Sequence, residues 1–257
     1  MKKIMFLLLA TILCISIFAC GTTPAAQPTP QPAQSAESSA EPTAAVPESP
    51  PPAADVESYE ITHMSAVTWA TTIGTVWAQV IVEVENTGTV PLFLRSGAFD
   101  VEDASGALIA SQTMVSAHPN VIAPGEKGYY YDEFTLNVDT PLDLVVIPRL
   151  DVRRATVENI RFAVSDFSLS DGQFGDVRMI GRVENTHDEE HGMVYISVIL
   201  FDDGGTPIGA LFTILIEDFA PGDRIGFEGS SFSLPTDITA DDISSYAVFA
   251  YPLQMQF

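Results

Sequence analysis

The sequence predicts an all-β chain built as two tandem β-sandwiches, and three observations carry that prediction. The stretch Val84-Glu85-Asn86-Thr87 recurs as Val183-Glu184-Asn185-Thr186, 99 positions later. Asp103 to Asp202 and Gly106 to Gly205 keep the same offset of 99, a register that chance seldom preserves at three such positions. From Val56 onward, runs rich in β-branched and aromatic residues alternate with polar turns, and no amphipathic helix longer than two turns interrupts them.

In the first copy, Trp77 to Val84 reads as a strand that Asn86-Thr87-Gly88 breaks; in the second, Val177 to Val183 ends at Asn185-Thr186. Phe99 to Asp103 and Val198 to Asp202 are the next matching strands, closed by Asp103-Ala104-Ser105-Gly106 and Asp202-Asp203-Gly204-Gly205. The second of these turns is too short for an EF-hand, because it lacks the spaced oxygens and the terminal Glu. A third anchor is Ala123-Pro124-Gly125 against Ala220-Pro221-Gly222, at an offset of 97. Proline followed by glycine is the composition of a type II turn, since the proline ring presets one φ and glycine takes the positive φ cheaply. Strand runs at roughly ten-residue spacing without helices describe a sandwich. The expected organisation is residues 1–19 as a leader, 20–55 as a tether, 56–155 as a first β-sandwich and 156–257 as a second.

At these residues the chain resembles the FxLYD-type and related immunoglobulin-like domains of bacterial cell-envelope proteins. Their pattern is a V-x-N turn, a strand ending in an F-x-L-Y-D-like stretch with a D-x-x-G turn, then a P-G turn. Val198 to Asp202 fits it with Val198 for the first Phe and Phe201 for the Tyr, whereas Phe99 to Asp103 puts Glu102 at the aromatic position. The resemblance covers 76–135 and 177–233 and implies a fold, not an activity.

The leader has a basic Lys2-Lys3, an apolar run from Ile4 to Phe18, too short to span as an ordinary helix, and Ala19-Cys20 at its end. Ile17-Phe18-Ala19-Cys20 resembles the bacterial lipobox, with Phe18 where a small or aliphatic residue usually stands. That resemblance implies that Cys20 becomes the first residue of the mature chain and carries a diacylglyceryl anchor. The alternatives are a simple secretory signal and an uncleaved helix. Cys14 lies inside the leader, so only Cys20 survives processing and no disulfide can form within the mature chain. From Gly21 to Asp55 the composition turns to Pro, Ala, Ser, Thr, Gln and Glu, with almost nothing large and apolar to bury. As a coil this tether spans about 35 Å, and in extended polyproline form about 100 Å.

The chain carries 34 acidic and 11 basic residues, for a net charge of −23, which becomes −25 once Lys2 and Lys3 leave with the leader. Such a surface repels nucleic acid and anionic lipid and is compatible with cationic partners or divalent ions, while its plainest cause is solubility. No nucleophile is arranged with a base, His63 and His118 have no motif around them, and neither G-x-S-x-G nor a glycine-rich phosphate loop is present. His187-Asp188-Glu189-Glu190-His191 is the one cluster with metal-ligand residue types; His187 and His191 converge only if that loop makes a helical turn. Asp188 stands where the zincin motif needs its Glu, so a solvated polar loop is the plainer reading.

The expected function is that of a non-enzymatic, lipid-anchored protein on the extracytoplasmic side of a cell membrane. It binds a cell-wall or envelope-protein partner, or spaces something away from the membrane, and needs no cofactor. A small-ligand or metal-binding sensor module is the alternative from another class, and an accessory domain of an envelope enzyme is the third. For a partner surface the sequence offers Tyr129-Tyr130-Tyr131. Aligning the two Pro-Gly turns sets Tyr129 against Gly226, Tyr130 against Phe227 and Tyr131 against Glu228. Strand alternation then buries Tyr130 with Phe134 and Leu136. Asp132 shares that parity and needs a bulge or an edge position. Tyr129 and Tyr131 point outward about 7 Å apart, a spacing for stacking on a glycan or an extended peptide, or for covering the sheet or the other domain.

Overall fold

The computed structural model of the chain describes residues 54–172, 176–231, 234–235 and 238–254. The leader, Cys14, Cys20 and all but the last residues of the tether lie outside the described residues. Residues 51–257 form one compact unit.

Its strands follow in chain order. The first half holds β1 (Tyr59–Ala70), β2 (Val76–Asn86), β3 (Leu92–Leu94), β4 (Gly97–Asp103), β5 (Leu108–Val115), β6 (Ala117–His118), β7 (Val121–Ile122), β8 (Lys127–Leu136), β9 (Leu144–Arg149) and β10 (Val152–Arg154). The second half holds β11 (Ala163–Asp171), β12 (Val177–Glu184), β13 (Val194–Phe201), β14 (Pro207–Leu215), β15 (Arg224–Ser231) and β16 (Ser245–Pro252). The helical element among the described residues is a 3-10 turn, Ala240–Asp242. The all-β expectation is met.

In the first half, the sheet β1-β2-β8-β6 faces the sheet β5-β4-β9, and the short sheet β10-β3-β7 closes one end. In the second half, β11-β12-β15 faces β14-β13-β16. All these pairings are antiparallel. Each half has its own core. Val80, Val82 and Val84 of β2 and Tyr130 of β8 meet Phe99 and Val101 of β4. Met179 and Val183 of β12 and Phe227 of β15 meet Val198 and Leu200 of β13.

The repeat seen in the sequence is a repeat of hydrogen bonds. The Asn86 side-chain amide donates to the carbonyls of Val90 (2.9 Å) and Ile122 (3.1 Å), and its oxygen accepts from the Gly88 amide (3.0 Å). Asn185 donates to Glu189 and Phe219, both at 2.8 Å, and accepts from the His187 amide at 3.0 Å. Both asparagines are buried, so these bonds replace those that water would have made. The Pro-Gly turns dock on the same residues: Gly125 N–H donates to Asn86 O at 2.8 Å and Gly222 N–H to Asn185 O at 2.9 Å. Their φ values of +79° and +82° are why glycine stands there. Asp103 Oδ1 accepts from the amides of Ser105 and Ala107, as Asp202 Oδ1 does from Gly204 and Thr206.

The halves dock face to face, but through non-equivalent sheets. The first half uses β2 and β8; the second uses β13, β14 and β16 rather than β12 and β15. Four sheets therefore stack in the order β5-β4-β9, β1-β2-β8-β6, β14-β13-β16, β11-β12-β15.

Candidate functional site

The middle of this stack is where the exposed-ring expectation fails. Tyr130 is fully buried in the first core, as alternation requires, but Tyr129 and Tyr131 are only 4% and 8% exposed. They do project from the opposite face of β8. That face meets Ile199 and Phe201 of β13, Ala210 of β14 and Phe249 of β16, so the second half of the same chain occupies the surface proposed for a partner. The Tyr129 ring lies 6.2 Å from both Phe201 and Phe249. Asp132 takes the edge position, half-buried, without a bulge in its pairing with β2.

Polar bonds fix the junction's register. Gln79 donates to the Ile208 carbonyl at 3.0 Å, and Asn120 to the Gln254 carbonyl at 3.3 Å. Arg161, from the connection between the halves, donates to the Val121 carbonyl, pairs with Glu126 at 3.6 Å and places its guanidinium 5.9 Å over the Tyr251 ring. Glu83 is buried at the edge of this face. Burial pushes its carboxyl up, but bonds from Lys127 and Thr62, both 2.6 Å, outweigh that and hold it below the ordinary range.

Beside the junction lies a two-lobed cleft walled by both halves. One lobe, of about 170 Å³, is lined by Arg95, His118, Asn120, Tyr195, Tyr251 and Leu253, among others. The other, of about 340 Å³, opens between Met114, Tyr131, Asp132, Glu133, Phe212 and Ile214. Ser116, His118 and Tyr195 are common to both. His118 Nδ1 lies 2.6 Å from the Tyr251 hydroxyl. Its ring is stacked at 6.5 Å on Phe212, and Tyr195 stacks at 6.0 Å on Tyr251. Burial pushes the His118 imidazole down to about 4 and the Tyr251 phenol up, so two neutral groups share that hydrogen bond at pH 7. Burial also raises Asp132, with the like charge of Glu133 adding to it. Glu133 itself accepts from the Tyr131 hydroxyl at 2.6 Å.

His187 and His191 do come together, with ring centroids 6.2 Å apart against Phe162. The His187 Nε2 is taken by the Arg161 carbonyl at 2.9 Å. Among the described residues, no group of three or more His, Cys, Asp or Glu side chains is placed to hold a metal ion.

No local motif flags His118, Tyr195, Phe212 and Tyr251, because they come from four separate strands, β6, β13, β14 and β16. A weaker signal was present: Val198-Ile199-Leu200-Phe201 and Val80-Ile81-Val82 are apolar on both parities, the pattern of a strand buried on both faces. No protein-family model matches the chain, and no curated protein matches it.

Proposed function

We propose that the chain is a non-enzymatic extracytoplasmic lipoprotein, anchored through Cys20, whose paired sandwiches bind or space another component of the cell envelope. The observation that carries this reading is the docked pair of β-sandwich halves, which a polar, proline-rich stretch precedes in the sequence. Two β-sandwich halves joined through a buried apolar junction make a stiff unit, and surface complementarity is its means of action. The leader, the Ala19-Cys20 step and the resemblance to FxLYD-type domains support the anchor and the compartment. The cleft supports partner binding over small-ligand sensing. One lobe, at about 170 Å³, falls below the roughly 300–1,000 Å³ typical of small-molecule sites, and the other, at about 340 Å³, sits at the lower end of that range. Two of the cleft's ionisable groups already have hydrogen-bond partners within the chain. His118 is tied to Tyr251, and the Glu133 carboxylate is occupied by the Tyr131 hydroxyl.

The test is Cys20→Ala in a bacterial host fed a labelled fatty acid. The unsubstituted chain takes up label and sediments with membranes; the variant takes up none and is released or stalls unprocessed. Label-free sedimentation of the unsubstituted chain with normal processing sinks the lipoprotein reading.

A further inference from the structure

The larger lobe of the cleft has a feature that a surface depression lacks, namely an unpaired strand edge. On one side β8 is paired with β2 along its whole length, from Lys127 to Leu136. On the other side β6 covers only Tyr129 and Tyr130. The Tyr131 amide still reaches the Ser116 carbonyl at 3.3 Å. The chain then turns away at Met114, held at φ +62°, and joins the opposite sheet, where Val115 pairs with Gly97. Among the described residues, no strand covers this edge of β8 from Asp132 to Leu136.

Backbone groups alternate in direction along an antiparallel strand, so the groups of Glu133 and Thr135 face the open edge as those of Tyr131 do. The Glu133 amide is met there by the Asp132 carboxylate at 3.0 Å, a local stopgap for a missing strand partner.

The walls of the slot specify what fits. Phe212 and Ile214 of the second half form one side with Tyr195, and Met114 stands at the rim. Met114 is 82% exposed and Phe212 53%, large apolar side chains left in water beside unpaired backbone. Asp132 and Glu133 stand at the mouth, and neither forms an ion pair among the described residues. The lining contains no lysine or arginine.

We infer that this slot takes an extended peptide segment of a partner protein, added as a strand to the open edge of β8 and carrying alternating basic and apolar side chains. Main-chain bonds to Glu133 and Thr135 supply the affinity that strand addition characteristically provides. Apolar side chains on the face shared with Tyr131 pack on Phe212 and Ile214, and basic side chains on the other face meet Asp132, while Glu133 adds its negative charge to the slot. This names the partner class for the binding reading above and rests on it.

The test uses the full-length protein in mild detergent and an acetylated, amidated hexapeptide alternating lysine and valine, titrated calorimetrically. Saturable binding is expected, weakened at least tenfold by N-methylation of the alternate peptide amides that face β8. The N-methylated peptide keeps charge and side chains, so it separates strand addition from attraction of a cation to an acidic body. The double substitution Asp132→Asn with Glu133→Gln weakens the unmodified peptide by a similar factor at low salt, with the circular dichroism of the fold unchanged. Equal affinity for the N-methylated peptide, or no binding of either, overturns the inference. Neither result touches the Cys20 anchor, which the labelling experiment decides separately.

Discussion

Ile81 and Ile180 occupy the same place in the repeat, 99 positions apart, yet one lies in the junction and the other on an outer sheet. Ile81 is fully buried against the second half and Ile180 is 48% exposed. Ile81→Ala removes buried methyl groups from a packed interface and costs about 3 kcal/mol, within the range for such deletions. Ile180→Ala, by contrast, is expected to stay within about 0.5 kcal/mol. Ile199→Ala, on the facing strand β13, tests the junction from its other side and has the same expected cost of about 3 kcal/mol, because Ile199 is also fully buried. The two tryptophans, Trp69 and Trp77, are stacked at 6.4 Å in the first half, so their fluorescence reports that half alone, while far-ultraviolet circular dichroism reports both. With a urea dependence of about 2–3 kcal/mol per molar, Ile199→Ala lowers the tryptophan midpoint by about 1 M, although the substitution sits in the other half. Both probes should move together. An unshifted tryptophan transition in Ile199→Ala, or equal costs at Ile81 and Ile180, refutes the claim that the junction holds the halves as one cooperative body.

Asn86→Ala and Asn185→Ala each lose two donated bonds and one accepted bond in buried surroundings, so each should cost about 3 kcal/mol in chemical denaturation, with values within about 1 kcal/mol of each other. Glu83 and Asp132 should give pH dependences of opposite sign. The lowered carboxyl of Glu83 stabilises above its unfolded range, so Glu83→Gln should be less stable at neutral pH, and the gap should close as pH falls through the folded value. The raised carboxyl of Asp132 costs stability once ionised, so Asp132→Asn should be the more stable at neutral pH, with the gain vanishing in acid below the ordinary aspartate range. A fragment from Thr156 to Phe257 keeps its own core and should unfold cooperatively. It also bares Ile199, Phe201, Ala210 and Phe249, so sedimentation should find it self-associating where the intact chain is not.

The strands, the repeat and the turns were legible because each rests on local chemistry. Asn86, Asp103 and Gly125 bond within their own neighbourhoods, and a sequence records such needs directly. Tyr130 was legible for the same reason, through parity with Phe227. Strand parity puts Tyr129 and Tyr131 on the correct face of β8 but gives no sign of their cover, because Gly226 and Glu228, their counterparts, belong to a sheet that stays outside. Which of two similar sheets a neighbour docks on is decided by packing between residues more than 60 positions apart, such as Tyr129 and Phe201. The cleft inherits that difficulty, since His118 meets Tyr195 and Tyr251 only after docking.

Because the halves join through different sheets, the contact is a step that a further copy could repeat, and a contact of that kind propagates into filaments when nothing stops it. Ile180 apart, both ends of the stack are blunted at the positions that would repeat it. Asp100, Glu102 and Arg149 stand on the first outer sheet where the registers place Ile199, Phe201 and Phe249 in the junction. Arg149 is paired with Asp100 there, which also accepts from Ser111 at 2.6 Å. On the other outer sheet Gly226 and Glu228 replace Tyr129 and Tyr131, and Glu228 is held by Arg178. The charges that distinguish the two outer sheets from the junction therefore oppose repetition of that contact.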